Sequence, residues 1–246
     1  MLPHLASVRS RCKFSLAMPH PQPIIALDVP SLADARALVK KLGPRADFYK
    51  VGLQLFTAEG PQVIESLHAE GKRVFLDLKL HDIPSTVNKA AASAMRMNVA
   101  LLTVHGLGGE AMVRAAVEGA GAHTGVLVVT VLTSMDLSAA SAAVGHPLTS
   151  LNDEVLRLAA LAAGAGAHGV VCSGAECAAV RAAHGASLEP LIPGIRTAAI
   201  GGDDQARVVT PEQAAEAGAA YVVVGRAVTA AADPAAAFDA VLARLA

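Results

Sequence analysis

The sequence predicts an α/β chain folded as a single-domain (β/α)8 TIM barrel, and three observations carry that prediction. Eight short apolar runs recur along the chain, and longer Ala-rich stretches with helical periodicity separate them. The repeat is also regular. Asp28 ends the first run and Gly225 the eighth, 197 residues apart over seven intervals, or 28 per strand-helix unit. Eight such units fill about 250 residues, the usual size of this barrel. An open doubly wound sheet alternates in the same way, but the first strand-helix turn, Asp28-Val29-Pro30-Ser31, lacks its Gly-rich dinucleotide fingerprint.

In chain order the runs cover residues 24–28, 47–51, 73–79, 99–105, 126–132, 169–172, 188–193 and 221–225. Most are rich in Val, Ile or Leu and show no polar alternation, as strands covered on both faces require. Helical periodicity between them predicts helices over 32–42, 62–70, 86–97, 109–119 and 153–163. Thr210-Pro211-Glu212-Gln213 reads as a helix start, with Thr as cap, Pro at the first position and Gln213 closing a capping box.

Residues 1–22 differ from the rest. Arg9, Arg11 and Lys13 are basic, no acidic residue accompanies them, and His20-Pro21-Gln22-Pro23 follows. The apolar stretch and cleavage site of a signal peptide are not evident there. The segment is expected to be a disordered extension, leaving 23–246 as the barrel.

Composition narrows the partners. Hydrophobic residues make up 53% and charged residues 17%, which excludes a disordered chain. Twenty Lys and Arg against 21 Asp and Glu leave a net charge of −1, so no general basic surface attracts nucleic acid. Aromatics at 3% with no Trp argue against base-stacking platforms and membrane belts. The mean hydropathy of +0.46 raises the question of a membrane span. Its most tempting stretch, 158–175, carries four glycines and His168, and reads as a helix end, a turn and a strand. Cys12, Cys172 and Cys177 lack metal or redox spacing, and the last two read as reduced, buried residues of a reducing compartment. What remains is a protein that handles something small.

Polar residues collect at the C-terminal ends of the runs: Asp28, Lys50, Asp77 with Lys79, His105, Thr133, Arg196 and Arg226. In a parallel barrel these ends converge on one face, where the βα loops build the site. The densest cluster is Asp77-Leu78-Lys79-Leu80-His81-Asp82-Ile83-Pro84. Side chains two apart on a strand share a face, so Asp77 and Lys79 are expected to point together into the mouth. Either charge buried alone costs several kcal/mol, so pairing is expected. A plain internal salt bridge would account for one Asp-x-Lys, but not for a further Asp beside Lys50.

Asp-x-Lys-x-x-Asp at the third strand end resembles the orotidine 5′-phosphate decarboxylase superfamily, and DLKLHDIPST (77–86) resembles its bacterial decarboxylases. IALDV (25–29), YKVG (49–52), LTS (132–134), PGIR (193–196), DDQ (203–205) and VGR (224–226) match in the family's order. The resemblance implies a cofactor-free, metal-free homodimer with shared active sites. It would convert orotidine 5′-phosphate to uridine 5′-phosphate and CO2 in pyrimidine biosynthesis in the cytoplasm. It implies that Lys79 donates a proton to pyrimidine C6, that Asp77 and Lys50 complete a charge array, and that Asp82 of the partner subunit joins it. Asp28 and Lys50 would hold ribose hydroxyls, with Thr86 of the partner subunit nearby. Thr133 and Ser134 would meet the pyrimidine, while Arg196, Gln205, Gly225 and Arg226 would take the phosphate side. The glycine-containing segment 197–205 suits a lid.

His81 and His105 lack the spacing of a ligand pair and are expected to be hydrogen-bonded structural residues. Two alternatives stay open at this point: a metal-using sugar-phosphate lyase or decarboxylase of the same superfamily, and a silent phosphate-ligand binder on the same scaffold.

Overall fold

The computed structural model describes residues 20–196 and 208–246. Eight parallel strands close in sequence order: β1 (Gln22–Ala26), β2 (Phe48–Gly52), β3 (Arg73–Leu80), β4 (Leu101–His105), β5 (Gly125–Val129), β6 (Gly169–Val171), β7 (Glu189–Ile192) and β8 (Tyr221–Val224). Closure is direct, with Ile24 of β1 opposite Val223 of β8. The first strand begins at Gln22, one residue inside the segment expected to be an extension, because the Gln22 N–H donates to Ala220 O and starts the ladder. Residues 1–19 of that segment lie outside the described residues.

Helix α1 (Leu32–Leu42) follows β1, and α2 (Leu53–Glu59) and α3 (Gln62–Ala69) follow β2. Next come α4 (Pro84–Arg96) after β3, α5 (Gly109–Ala120) after β4, and α6 (Leu137–Val144) with α7 (Leu151–Gly164) after β5. Helix α8 (Gly174–His184) follows β6, α9 (Pro211–Glu216) precedes β8, and α10 (Arg226–Thr229) with α11 (Pro234–Leu245) closes the chain. The predicted helices are present, α1 with the expected bounds, and Thr210 and Gln213 form the expected capping box on α9. Helices α2, α6 and α10 are additions to the eight-fold repeat. The stretch 158–175 divides into the end of α7, a turn, β6 and the start of α8. Among the described residues no helix is long and apolar enough to cross a membrane.

Two apolar layers explain why the strands lack polar alternation. Ile24, Ala26, Phe48, Phe75, Leu101, Leu127, Leu191 and Val223 fill the barrel interior. Their strand neighbours, such as Ile25, Tyr49, Val74, Leu102 and Val222, face outward into a second layer shared with the helices. Each large apolar side chain removed from water contributes about 1.5–3 kcal/mol, so both faces of every strand favour closure. Gly169 lets β6 approach β7, since a Cβ there would lie 2.0 Å from Glu189 O.

One strand is irregular. Between β3 and β4 the register runs Phe75↔Leu101 and Leu76↔Leu102, then jumps to Leu80↔Val104. Four residues of β3 are thus set against two of β4, and Lys79 inside the bulge has φ +50. Bulges re-aim side chains beside active sites.

Candidate active site

The C-terminal mouth opens into a cavity of about 450 Å3. Asp28, Lys50, Asp77, Lys79, Thr133, Arg196, Gly225 and Arg226 line it, so residues from six strand ends converge as the sequence pattern predicts. Phe75, Val129, Val171, Leu191 and Val223 form its apolar floor. The volume and the mix of apolar walls with a few aimed polar groups suit a small ligand.

On the side of β1, β2 and β3 the charges alternate. Lys50 Nζ lies 2.8 Å from Asp28 Oδ1 and 3.7 Å from Asp77 Oδ2. Lys79 Nζ lies 2.8 Å from Asp77 Oδ1. The Lys50 and Asp77 side chains are only 11% and 13% exposed, which an unpaired ion would not tolerate. Lys79 is more open at 34% and lines the cavity beside Asp77. Gly52 belongs to this design, because a Cβ there would press to 2.9 Å on Lys50 Nζ.

Simple strand alternation is not what joins Asp77 and Lys79. The bulge breaks the period, and Lys79 takes a left-handed backbone that costs a non-glycine residue about 1–2 kcal/mol. Two bonds offset that cost: the Lys79 N–H donates to Thr103 Oγ1 at 2.9 Å, and the ammonium donates to Asp77. Thr103 Oγ1 in turn donates to Asp77 Oδ1 at 2.9 Å. Sequence reasoning missed Thr103, a fully buried β4 residue that ties the lysine to its carboxylate. Its only sequence signal is a hydroxyl within an apolar run. Thr229 of α10, which also lines the cavity, was missed too.

The opposite side is cationic. Arg196 follows β7, where its N–H donates to Val209 O, and Arg226 opens α10 after the Gly225 cap. Burial first, and the Arg226 charge second, hold the Arg196 guanidinium below its usual pKa. Arginine stays charged nonetheless, so two guanidinium groups crowd one rim of the cavity. An anion with several oxygens would relieve that repulsion. Phosphate sites recur after strands seven and eight of such barrels.

The other predicted residues fall elsewhere. Ser134, Asp82 and Thr86 are exposed, outside the cavity lining, and Asp82 Oδ1 accepts the Ile83 N–H at 2.6 Å. Gln205 and the segment 197–205 lie outside the described residues. His105 turns away from the cavity: its Nδ1 accepts the Leu107 N–H at 3.3 Å and its ring stacks on His81. Cys172 and Cys177 are buried, and neither forms a disulfide among the described residues. Among the described residues no group of three or more His, Cys, Asp or Glu side chains is arranged to hold a metal.

A barrel with a lysine clamped by carboxylates on one rim and paired arginines on the other defines a class: a (β/α)8 protein for a small phosphorylated ligand. The model of the family described as Orotidine 5′-phosphate decarboxylase / HUMPS matches residues 21–241, and the chain belongs to that family. It is 51% identical over 222 residues to an orotidine 5′-phosphate decarboxylase of Anaeromyxobacter sp. (strain K), covering 89% of this chain and 96% of the relative. A Halorhodospira halophila protein of the same name is 46% identical, over 92% of this chain and 96% of its own. The crystal structure of orotidine 5′-phosphate decarboxylase from Lactobacillus acidophilus superposes with a TM-score of 0.81 at 36% identity, covering 92% of this chain and 99% of that one.

Proposed function

We propose that this chain decarboxylates orotidine 5′-phosphate to uridine 5′-phosphate and CO2 in pyrimidine biosynthesis. The observation that carries the reading is the Lys79 ammonium, held on Asp77 at 2.8 Å and open to a cavity whose far rim carries Arg196 and Arg226. In this reading the C6–carboxylate bond breaks, its electron pair stays on C6, and the Lys79 ammonium delivers the proton that converts it to C6–H. A positioned cation stabilises charge as it develops. Asp77, with Lys50 behind it, holds that ammonium aimed at the cavity. Asp28 and Lys50 hold ribose hydroxyls, Thr133 and Ser134 meet the base, and Arg196, Gln205, Gly225 and Arg226 take the phosphate.

A proton donor supplies about 10²–10⁴-fold, whereas large enzymatic accelerations require roughly 20 kcal/mol. Binding energy from the remote phosphate must therefore be coupled to organising the lysine side of the site.

The active unit is a homodimer in which Asp82 and Thr86 of the partner subunit complete each site. Exposed Leu53 (55%), Ile83 (64%) and Leu107 (43%), just beyond the ends of three consecutive strands, support such a face on the mouth side. The reading takes the cytoplasm as location, with nucleic acid and membrane outside the partner set; the buried thiols of Cys172 and Cys177, in no disulfide among the described residues, fit a reducing compartment.

Ultraviolet assay of orotidine 5′-phosphate by the purified chain in excess chelator tests the activity. Turnover is expected to persist; strict metal dependence would favour a metal-using relative, and no turnover a silent binder. Mixing Lys79→Ala with Asp82→Ala subunits is expected to restore activity through one intact site per dimer. No recovery after verified subunit exchange would reject the shared site.

A further inference from the structure

Three consecutive residues at the end of β3 dock on three at the end of β4. The Lys79 N–H donates to Thr103 Oγ1, Leu80 pairs with Val104, and the His81 ring stacks on His105 with centroids 5.4 Å apart and planes 18° apart. The His105 ring is itself held, since Nδ1 accepts the Leu107 N–H. That bond leaves the hydrogen of the neutral ring on Nε2. The β4–α5 loop closes on the pair as well: a Cβ on Gly108 would lie 3.2 Å from His81 Cδ2 and 2.1 Å from Met112 Sδ. Neither histidine lines the substrate cavity. Yet His81 stands two residues after the strained Lys79 and immediately before Asp82.

We propose that His105 is a positioning residue: stacked on His81, it clamps the bulged segment 79–82, so that the Lys79 ammonium stays on Asp77 and Asp82 is presented at the rim. The inference rests on the decarboxylase reading of Lys79 and adds a residue to it. A left-handed lysine persists only where its surroundings over-determine it, and the amide bond, the strand pair and the ring stack are the restraints on this one.

The clamp is neutral by construction. Lys79 of β3 and His81 beyond it face His105 with positive or ionisable groups. From α7, Glu154 lines the same 40 Å3 apolar cavity behind His105, but Arg157 holds both its oxygens, at 2.6 and 2.7 Å. Burial first, then the His81 and Lys79 charges, lower the pKa of His105. Protonation below that value would set a half-buried cation against the Lys79 ammonium and the His81 ring and loosen the stack, so turnover should fall toward acid.

The test uses the full chain and four proteins: wild type, His81→Ala, His81→Phe and His105→Asn. His81 is exposed, so its removal leaves the core intact, and Asn retains an acceptor for the Leu107 N–H. His81→Ala and His105→Asn are expected to lose about 10- to 100-fold in kcat, the cost of a misplaced reacting group, with KM for orotidine 5′-phosphate nearly unchanged. His81→Phe, which keeps a stacked ring, is expected to restore kcat. Proton NMR titration is expected to show the His105 pKa rising when His81 becomes Ala, and the acid limb of wild-type kcat following the His105 titration. Wild-type kcat in both ring-removing variants would overturn the clamp, as would failure of Phe to rescue or a His105 titration indifferent to residue 81. An inactive wild type would instead overturn the decarboxylase reading, while the titration would still report whether the rings are coupled.

Discussion

At the N-terminal end of the barrel, Arg73 reaches Gln22 at 3.1 Å and Asp47 at 3.0 Å, and lies 4.3 Å over the Phe48 ring. Beside it His168 meets the Tyr221 hydroxyl at 3.0 Å, and Arg181 meets Glu189 at 3.0 Å. At the C-terminal end, Lys50 and Asp77 are nearly buried, Lys79 is left-handed, and Arg196 sits against the charge of Arg226. The residue types at the two ends are similar. At the bottom each of these charges meets an opposite charge, an aromatic face or a hydroxyl, and the left-handed residue described there is Asn98 at φ +56, a residue type that tolerates that region. At the mouth the backbone is strained and like charges are brought together, so stability is given up where a ligand is to be met. The closed end holds the barrel in shape, which keeps the open end preorganised.

The sharpest way to break this contrast is Lys79→Ala, expected to cost at least about 10²–10⁴-fold in kcat while circular dichroism still reports a folded barrel. Near-wild-type turnover would remove Lys79 from the chemistry. Arg226→Ala should lower kcat/KM for the phosphorylated substrate about 10- to 100-fold, the worth of a charged hydrogen bond, and leave the free nucleoside unaffected. Equal losses on both would move Arg226 out of the phosphate site. Arg73→Ala should leave kcat unchanged and lower Tm by roughly 2–4 °C, as a loss of about 1 kcal/mol does in a chain of this size. A change in kcat without one in Tm would erase the division between the two ends.

The smallest effect concerns acid. Burial lowers the pKa of His168 below its ordinary value of 6.5, with Glu189 opposing the shift. Below pH 6.5 the unfolded chain therefore binds the proton more readily than the folded one. Stability should fall as pH drops from 6.5 toward the folded-state pKa. His168→Gln is expected to flatten that slope of Tm against pH but not abolish it, because His105 is shifted in the same direction. An unaltered slope would mean that His168 does not carry it.

Much of this was legible residue by residue. The apolar runs mark strands because an eight-fold barrel buries both strand faces, and polar residues at their ends mark the mouth because parallel strands all finish on one side. Asp28, Lys50, Asp77, Lys79, Thr133, Arg196 and Arg226 were found by that logic and line one cavity, with Gly225 beside them. Thr103 was not, because a β-branched residue in a strand carries no mark of the direction its hydroxyl takes. The left-handed Lys79 was equally hidden, since a register jump depends on how two strands meet and not on either alone. His105 shared the register of the site residues but faces away from the cavity, onto His81.

By itself, then, the order of side chains determined a closed α/β repeat, its capped helices and the set of polar groups brought to one mouth, because periodicity and burial are local properties summed along a chain. Only the tertiary structure decided which carboxylate holds which ammonium, where the bulge falls and which histidine is turned from the cavity. Those outcomes depend on angstrom-scale contacts between strands distant in sequence, where a shift of two residues in register re-aims a side chain.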